Sequence, residues 1–377
     1  MRITGIEVIH LRAGDAAGGD LFDGSYDNVV VQLHTDEGLV GLGEAESLAP
    51  AVRAVIEGPG AHRHARALRE VVVGADPTDP EALWDALYDA TNSIGRRGLV
   101  MHAIGAVDIA VWDLAAQAQG KPVHALLGGA VHDRIPAYGS IYPLARTPDE
   151  VRGQVAAARE RNLRAFKLCA DPWWLDDIDA TAGLLQAARD EAGADATLIV
   201  DAALAYPSAD DGLRLLPLFR DIGIRFLEAP LPLDDPEGHA RMAGHGVPLG
   251  IGDLGLTHLW EFIELTERGA GDVWQPDITN VGGFTALKRI GAEARRRGIP
   301  IVPHGYKSAI TIAANMHFLA TEPYDVLQEY ALSASPLRWE TTRERLPVED
   351  DGTVLVPQGP GLGVTLDLAT VERYAVR

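Results

Sequence analysis

The first part of the chain has the sequence pattern of short strands followed by helices. Residues 3–11, 28–33 and 39–44 alternate apolar and polar side chains. This pattern predicts three β-strands, with a hairpin turn at 34–38 joining the last two. Helical patterns follow at 51–57, 61–73, 80–90 and 97–119. The last is the clearest, because its apolar residues recur on one helix face.

From residue 134 onward the pattern changes to short apolar runs that alternate with helix-length segments. From the second run onward, successive run ends lie 24 to 32 residues apart, enough for one helix and two loops. This rhythm predicts a parallel βα array closed into a barrel. We find no phosphate-binding glycine fingerprint that would favour an open doubly wound sheet. The eight runs are 135–140, 165–169, 198–201, 226–228, 249–253, 273–277, 301–304 and 326–329.

These sequence patterns predict an α/β protein with three regions. A first α+β domain covers residues 1–120, and the barrel domain covers 121–336. The tail, 337–377, has a strand-like stretch at 354–356 but no further barrel unit, and we expect it to return to the first domain. Within the long helix, Asp108 and Asp113 interrupt the apolar run, and we expect them to be solvated or to cap a helix.

Composition excludes several classes of partner. The chain has 377 residues, 47% of them hydrophobic, and 33 basic against 54 acidic side chains give a net charge of −21. Nucleic acid and anionic membrane surfaces are therefore not expected partners. The single cysteine, Cys169, excludes an internal disulfide. The chain shows neither a leader nor an apolar run of about 20 residues, and we expect a cytoplasmic protein.

Charged or titratable residues mark the ends of the barrel strands, where barrel enzymes place catalytic groups. One acid after a strand is commonly a helix cap. Asp201, Glu228 and Asp253, however, follow three consecutive runs and would crowd three negative charges unless a cation held them. Oxygen ligands alone favour Mg²⁺, with Mn²⁺ next. The complete set is Lys167, Asp201, Glu228, Asp253, Asp277, His304 and Glu329.

Asp277 and His304 end two successive runs with one predicted helix between them. If these strands are parallel neighbours, the carboxylate can hold the imidazole. Such a contact orients the ring and makes it a better base. The sequence therefore predicts a polarised histidine at the barrel mouth.

In order and spacing, these motifs resemble the mandelate racemase subgroup of the enolase superfamily. The resemblance implies a modified TIM barrel, (β/α)7β, under an N-terminal α+β capping domain completed by the C-terminal tail. It implies Mg²⁺ on the three carboxylates, binding a substrate carboxylate and stabilising the enediolate that forms when His304 removes the α-proton. Glu329 matches the acid that hydrogen-bonds this enediolate. The motifs are Asp201, Glu228-Ala229-Pro230, Gly252-Asp253, Gln275-Pro276-Asp277 with Gly282-Gly283, and Pro303-His304-Gly305.

Departures from the family pattern narrow the chemistry. Members with a second base carry Lys-x-Lys on the second barrel strand, and this chain has Lys167-Leu168-Cys169. A neutral thiol beside carboxylates is a poor carbon base, so we expect Cys169 to be inert and Lys167 to lie near the substrate carboxylate. Ala203 stands where members frequently have asparagine, and Ala229 replaces an acid or amide.

With one base, the resemblance favours dehydration of a sugar acid with an R-configured α-carbon to a 2-keto-3-deoxy acid, His304 acting as base and then acid. A cycloisomerase or epimerase, and a non-catalytic barrel that binds an acid sugar, remain alternatives. The family pattern also implies a homo-oligomer, a dimer or octamer. Two loops, 13–26 and 47–53, are expected to set specificity, although the first reads equally as a surface loop. Candidate substrate contacts are Cys169, Phe22, Tyr26, Trp173, Trp174 and Tyr306, and core packing is an equal alternative for the two tryptophans.

Overall fold

Three antiparallel strands open the chain in the computed structural model, which describes residues 1–14, 24–253 and 255–376. The strands are β1 (Ile3–Arg12), β2 (Asp27–Thr35) and β3 (Val40–Ala45), paired in the order β1-β2-β3. A short 3-10 helix, Gly24–Tyr26, leads into β2. The predicted three-stranded start is therefore confirmed, with strand ends that differ by one or two residues.

Five helices follow the sheet, and one sequence prediction among them is wrong. The segment 61–73 is helical only at its end. Residues 61–65 instead form a tight turn, in which the backbone N–H of Ala61 donates to Ala65 and that of Ala65 donates to His62. These cross-turn bonds use donors that a helix would direct along its axis. The helices are α1 (Ala49–Glu57), α2 (Arg69–Val72), α3 (Pro80–Thr91), α4 (Leu99–Ala118) and α5 (Val123–Leu126).

Helix α4 lies directly on the sheet because β3 presents glycine to it. A Cβ added at Gly43 would lie 1.9 Å from the carbonyl oxygen of Ala106, so only glycine permits this approach. Within the described ranges, α4 is the one helix long and apolar enough to cross a membrane. However, 89% of its apolar window is buried inside the protein, as in the core helix of a soluble protein.

The two aspartates of α4 are buried, so the expectation of solvated side chains is wrong, whereas the alternative of a capping role fits Asp108. Asp108 accepts hydrogen bonds from the backbone N–H and the hydroxyl of Thr285, at 2.9 and 2.7 Å. Asp113 accepts from the backbone N–H groups of Leu42 and Leu362, both at 2.8 Å. Burial raises the pKa of Asp108 to about 8 and that of Asp113 to about 6. Both side chains join segments distant in the chain, and Asp108 satisfies donors in the first turn of a barrel helix.

The barrel strands run parallel, and helices separate them along the chain. The pairing order is β10-β4-β5-β6-β7-β8-β9, so the first and last of these strands are neighbours through β4 and β10. The elements are β4 (Arg134–Ile141), α6 (Pro148–Arg159), β5 (Ala165–Cys169), α7 (Ile178–Ala192), β6 (Thr197–Asp201), α8 (Ala209–Ile222), β7 (Ile224–Glu228), α9 (Pro236–Met242), β8 (Leu249–Ile251), α10 (Leu259–Glu267), β9 (Val273–Trp274), α11 (Gly283–Arg297), α12 (Ala309–Leu319), β10 (Gln328–Ala331), α13 (Pro336–Glu340), β11 (Thr353–Leu355) and α14 (Leu368–Tyr374).

The predicted strand at 301–304 is present only as a single parallel bridge between Ile301 and Trp274. Pro300 and Pro303 flank the bridge, and a proline has no N–H to extend a ladder. This segment still takes a strand's place in the barrel, because Val302 packs in the same interior cluster as residues from neighbouring strands. That cluster comprises Tyr138, Ala165, Ile199, Phe226, Val273, Val302 and Leu327.

The tail contacts both the barrel and the first sheet. β11 pairs antiparallel with the beginning of β4, and Ala375 bridges Leu11 of β1. The predicted strand at 354–356 is thus confirmed, shifted by one residue. The return to the first sheet runs through the end of the chain after α14. The domain boundaries after residues 120 and 336 stay a prediction.

A buried histidine pair joins α5, α12 and the tail. His317 directs Nε2 to the carbonyl oxygen of Leu362 at 3.1 Å, and the backbone N–H of His124 donates to its Nδ1 at 3.4 Å. Both ring nitrogens of His317 therefore make a hydrogen bond in the neutral form of the ring. Burial lowers the pKa of His317 to about 3. Folding therefore favours the unprotonated ring.

We expect acid to destabilise the fold through His317. Below pH 6.5 the unfolded chain binds a proton at this residue and the folded chain does not, so stability falls as the pH drops toward 3. Between pH 7 and pH 5 this group should remove about 2 kcal/mol from the free energy of unfolding. In denaturant unfolding of a His317→Gln variant, the loss of unfolding free energy between pH 7 and pH 5 should be smaller by about 2 kcal/mol. The exposed His245→Gln variant is the control, and an equal slope in all three proteins would contradict the prediction.

Candidate active site

The ends of β5, β6 and β7 lie level with one another. Cys169 pairs with Asp201, and Asp201 pairs with Glu228 in the parallel register. Lys167 and Cys169 are two residues apart on β5, so both side chains leave the same face of the strand. The register brings these side chains together at one mouth of the barrel.

Asp201, Glu228 and Asp253 form a buried cluster of three carboxylates. One oxygen from each lies within 4.8 Å of the others. Burial raises the pKa of Glu228 well above its ordinary value, and although Lys167 opposes this, the charges of Asp201 and Asp253 add to it. An all-oxygen donor set of this charge fits a hard divalent cation, which would remove the repulsion. The three predicted ligands therefore could hold a metal ion.

Lys167 is a buried ammonium group surrounded by acids. Its Nζ lies 2.7 Å from Glu228, 2.7 Å from Glu329 and 3.4 Å from Asp201. Burial alone would lower its pKa, but the three carboxylates outweigh burial and raise the pKa well above the ordinary value. Lys167 is therefore a fixed positive charge at the mouth and cannot serve as a base there.

His304 and Asp277 are in direct contact. His304 Nδ1 lies 2.6 Å from Asp277 Oδ2, while the other oxygen of Asp277 accepts from the backbone N–H and hydroxyl of Thr279, each at 2.6 Å. Asn315 donates to the backbone oxygen of His304 at 2.9 Å. Nδ1 therefore faces the carboxylate, and Nε2 is the nitrogen available for proton transfer. The pair predicted from run ends is present in the structure.

Glu329 lies beside His304 as a charge partner. Their Oε2 and Nε2 atoms lie 3.8 Å apart, and the carboxyl of Glu329 also accepts from Ser140 and the backbone N–H of Gly305. Burial raises the pKa of Glu329, but Lys167, His304 and the hydrogen bonds outweigh it and lower the pKa to about 2. Burial lowers the pKa of His304, and the charge of Glu329 and the bond to Asp277 outweigh it, so the net shift is well above the ordinary value. Both shifts favour a protonated His304 beside an ionised Glu329.

Two residues at the mouth come from places that strand-end reasoning did not select. Glu46 follows β3 of the first sheet, and one of its oxygens lies within 4.8 Å of ligand atoms of both Asp277 and His304. Its backbone N–H donates to the hydroxyl of Thr279 at 3.2 Å. Gln275 donates to Glu228 at 2.6 Å. In the sequence, the pair Glu44 and Glu46 at a strand end could have indicated Glu46. The Gln-Pro-Asp motif could have indicated Gln275.

Two alanines beside the carboxylates adopt a backbone conformation that favours glycine or asparagine. Ala203 has φ 44° and Ala229 has φ 42°. The backbone N–H of Ala203 donates to Asp201 at 2.8 Å, so this left-handed turn holds the carboxylate in place. A Cβ in this conformation is strained by roughly 1–2 kcal/mol. Ala203, which stands where family members frequently have asparagine, is therefore strained.

We expect the Ala203→Gly variant to be more stable than the parent protein by about 1 kcal/mol, because glycine relieves this strain. The neighbouring Ala202 is buried and has no positive φ. Ala202→Gly should therefore lower stability by a similar amount, through backbone entropy and lost packing. Denaturant unfolding of both variants tests the pair. A loss of stability in both would show that the turn at Ala203 is not strained.

The candidate substrate contacts divide into four groups. Cys169 lies in the mouth, its Sγ 3.9 Å from Asp201, and burial followed by the charge of Asp201 raises the pKa of the thiol well above its ordinary value. For Trp174 the structure favours core packing, because the side chain is buried and its ring contacts Phe219 of α8. Phe22 lies outside the described residues. Tyr26, Trp173 and Tyr306 are partly exposed, and their contact with a substrate stays a prediction.

Comparison with known proteins gives matches over nearly the whole chain. Residues 24–128 match the mandelate racemase / muconate lactonizing enzyme N-terminal domain, and residues 150–370 match the enolase C-terminal domain-like family. A D-galactarolactone cycloisomerase of Agrobacterium fabrum is 28% identical over 358 residues, covering 92% of this chain and 91% of that protein. An arabinonate dehydratase of Saccharolobus solfataricus is 30% identical over 352 residues, covering 92% and 90%. The crystal structure of a racemase from Streptomyces coelicolor with bound magnesium has a TM-score of 0.86 at 25% identity and covers 99% of this chain and 100% of that chain.

Proposed function

Since this chain belongs to the mandelate racemase and muconate lactonizing enzyme family of the enolase superfamily, we propose that it dehydrates a sugar acid. His304 would remove the α-proton, and the β-hydroxyl group would then leave. The observation that carries this proposal is the contact between His304 and Asp277 at a barrel mouth that also holds the three-carboxylate cluster, with a cysteine in the place of a second base.

Asp201, Glu228 and Asp253 would hold the cation, Mg²⁺ or alternatively Mn²⁺. Bound there, the cation would draw electron density from the substrate carboxylate and make the α-proton more acidic. Lys167 adds a second, permanent positive charge on the same side of the mouth. Lys167 would thereby bind the substrate carboxylate by its charge and help to orient the α-carbon toward His304.

Proton abstraction needs a neutral His304, and the geometry gives the proton a destination. Glu329 lies 3.8 Å from Nε2, and a substrate anion bound to Lys167 would weaken the charge contact that lowers the pKa of Glu329, so that Glu329 would take the proton. The protonated Glu329 then becomes a hydrogen-bond donor, as the resemblance requires. Asp277 keeps Nδ1 protonated and stabilises the imidazolium that forms when Nε2 accepts the α-proton.

The second step uses the same nitrogen. The imidazolium of His304 returns its proton to the departing β-hydroxyl, so water leaves as the C–O bond breaks. The resulting enol tautomerises to a 2-keto-3-deoxy acid. Racemisation would need a base on the opposite face of the α-carbon, and Cys169 there is a buried thiol hydrogen-bonded to Asp201 with a raised pKa. Dehydration therefore fits the site better than racemisation.

A cycloisomerase reaction is the second candidate, because one of the relatives is named as a D-galactarolactone cycloisomerase. It shares the first step, removal of an α-proton by His304, and differs in what happens next. A non-catalytic sugar-acid-binding barrel would share neither step.

Solvent exchange separates these possibilities. The Mg²⁺-loaded protein is incubated in D₂O with a panel of aldonic acids, aldaric acids and lactones, and exchange at the α-carbon and 2-keto acid formation are followed by NMR. Exchange together with keto acid is the expected result. Exchange with lactone conversion and no keto acid would instead support cycloisomerisation. A protein that binds these acids without any exchange would contradict both enzymatic proposals. The predicted dimer or octamer stays open to a sedimentation measurement.

A further inference from the structure

The mouth of the barrel is rich in acids and poor in free cations. Beside the three-carboxylate cluster it contains Asp277, Glu329 and Glu46. In the described part of the chain, the ion pairs of Asp201, Glu228, Asp277, Glu329 and Glu46 involve three basic groups, namely His304, Lys167 and Lys307. Two of these are assigned in the proposed reaction, which leaves Lys307.

Lys307 is already committed to protein atoms. Its buried ammonium group donates to the backbone carbonyl oxygens of Gly24 and Asp27, and it lies 4.0 Å from Glu46. Two of the three N–H donors of this ammonium group are used by the carbonyl oxygens, and its charge is paired with that of Glu46. The segment 15–23, which is outside the described residues, adds three aspartates and no lysine or arginine to the sequence. Each of these three cations is therefore already paired with a carboxylate of the protein.

Glu46 presents an unused hydrogen-bonding atom beside the base. Its Oε2 is buried and has no hydrogen-bond partner among the described residues. The side chain sits between the His304–Asp277 pair and Lys307 and is fixed through its backbone to Thr279. A buried carboxyl oxygen of this kind is satisfied by a hydroxyl group, whereas a second carboxylate there would lie beside both Glu46 and Asp277.

Resting on the proposed function, we propose that the site selects polyhydroxy monocarboxylic acids, of the aldonic type, over the matching dicarboxylic aldaric acids. Glu46 binds a hydroxyl group of the distal chain and repels a distal carboxylate. This is specificity by an introduced repulsion as well as by an attraction. The proposed selectivity distinguishes the two chemical types of sugar acid that the reaction could use.

Matched acid pairs test the proposal. Galactonate is compared with galactarate, and gluconate with glucarate, on the Mg²⁺-loaded protein at pH 8. The α-proton exchange in D₂O gives kcat/KM, and the thermal shift gives binding. We expect kcat/KM to be at least about 100-fold higher for the monocarboxylic member of the preferred pair. Glu46→Gln should narrow that ratio by about 10-fold, mainly by raising activity on the diacid. Glu57→Gln, an equal charge change on the exposed end of α1, should leave the ratio unchanged.

Equal or higher activity on the diacids, or an unchanged ratio in Glu46→Gln, would overturn the proposal while leaving sugar-acid chemistry intact. Absence of exchange with every acid would instead contradict the proposed function. In that case the thermal shift still decides the selectivity, because a larger shift with the diacid would overturn it and a larger shift with the monoacid would support it.

Discussion

His304→Asn is expected to lower the rate of α-proton exchange by a factor of roughly 10²–10⁴, the usual contribution of a well-placed general base. The reason is that Nε2 of His304 is the one basic atom that the proposed chemistry leaves for this step. Lys167 is held protonated by three carboxylates, and the thiol of Cys169 has a raised pKa. Asparagine preserves a side chain that can contact Asp277, so the mouth should keep its shape. NMR exchange in D₂O measures the effect.

The Cys169→Ser variant is the control for this experiment. Serine has nearly the size of cysteine, and its hydroxyl can donate to Asp201 as the thiol does. Its exchange rate should therefore stay within about threefold of the parent rate, because an inert group is replaced by another. A large loss in the serine variant, or substantial exchange remaining in His304→Asn, would show that the base has been assigned to the wrong residue.

The location of the barrel chemistry could be predicted from sequence because it depends on local pattern. Each predicted run puts its last residue at the mouth, so the order of the runs along the chain is enough to group Asp201, Glu228 and Asp253. The parallel register then requires that they lie level. Even at 301–304, where prolines reduce the strand to one bridge, His304 reaches Asp277.

The contribution of the first domain could not be predicted in the same way. Glu46 follows an antiparallel strand, and nothing in its own neighbourhood tells which part of the barrel that strand will cover. Its position depends on long-range contacts, including the bond from Asn28 to Glu44 and those from Thr311 to the same carboxyl group. The buried aspartates of α4 escaped prediction for a similar reason, because their donors lie far away in the sequence.

Glu228→Gln is expected to abolish the stabilisation of the protein by Mg²⁺. Three carboxylates crowd the site, and a cation bound only by the folded state stabilises it by about 2.7 kcal/mol when its concentration is 100 times the Kd. The amide removes one charge from the centre of the cluster, so metal affinity should fall by about 100-fold or more. At the same Mg²⁺ concentration the gain in unfolding free energy should then drop below about 0.5 kcal/mol. Thermal and denaturant unfolding with and without Mg²⁺ measure this gain without relying on activity.

A second buried glutamate supplies the matched control for the metal experiment. Glu44 is as buried as Glu228, but it accepts hydrogen bonds from Thr311 and Asn28 and lies outside the three-carboxylate cluster. Glu44→Gln should therefore lower the stability of the metal-free protein by roughly 1–3 kcal/mol, through a broken buried network, yet retain the full gain on adding Mg²⁺. An undiminished gain in Glu228→Gln, or loss of the gain in Glu44→Gln alone, would place the cation elsewhere in the protein.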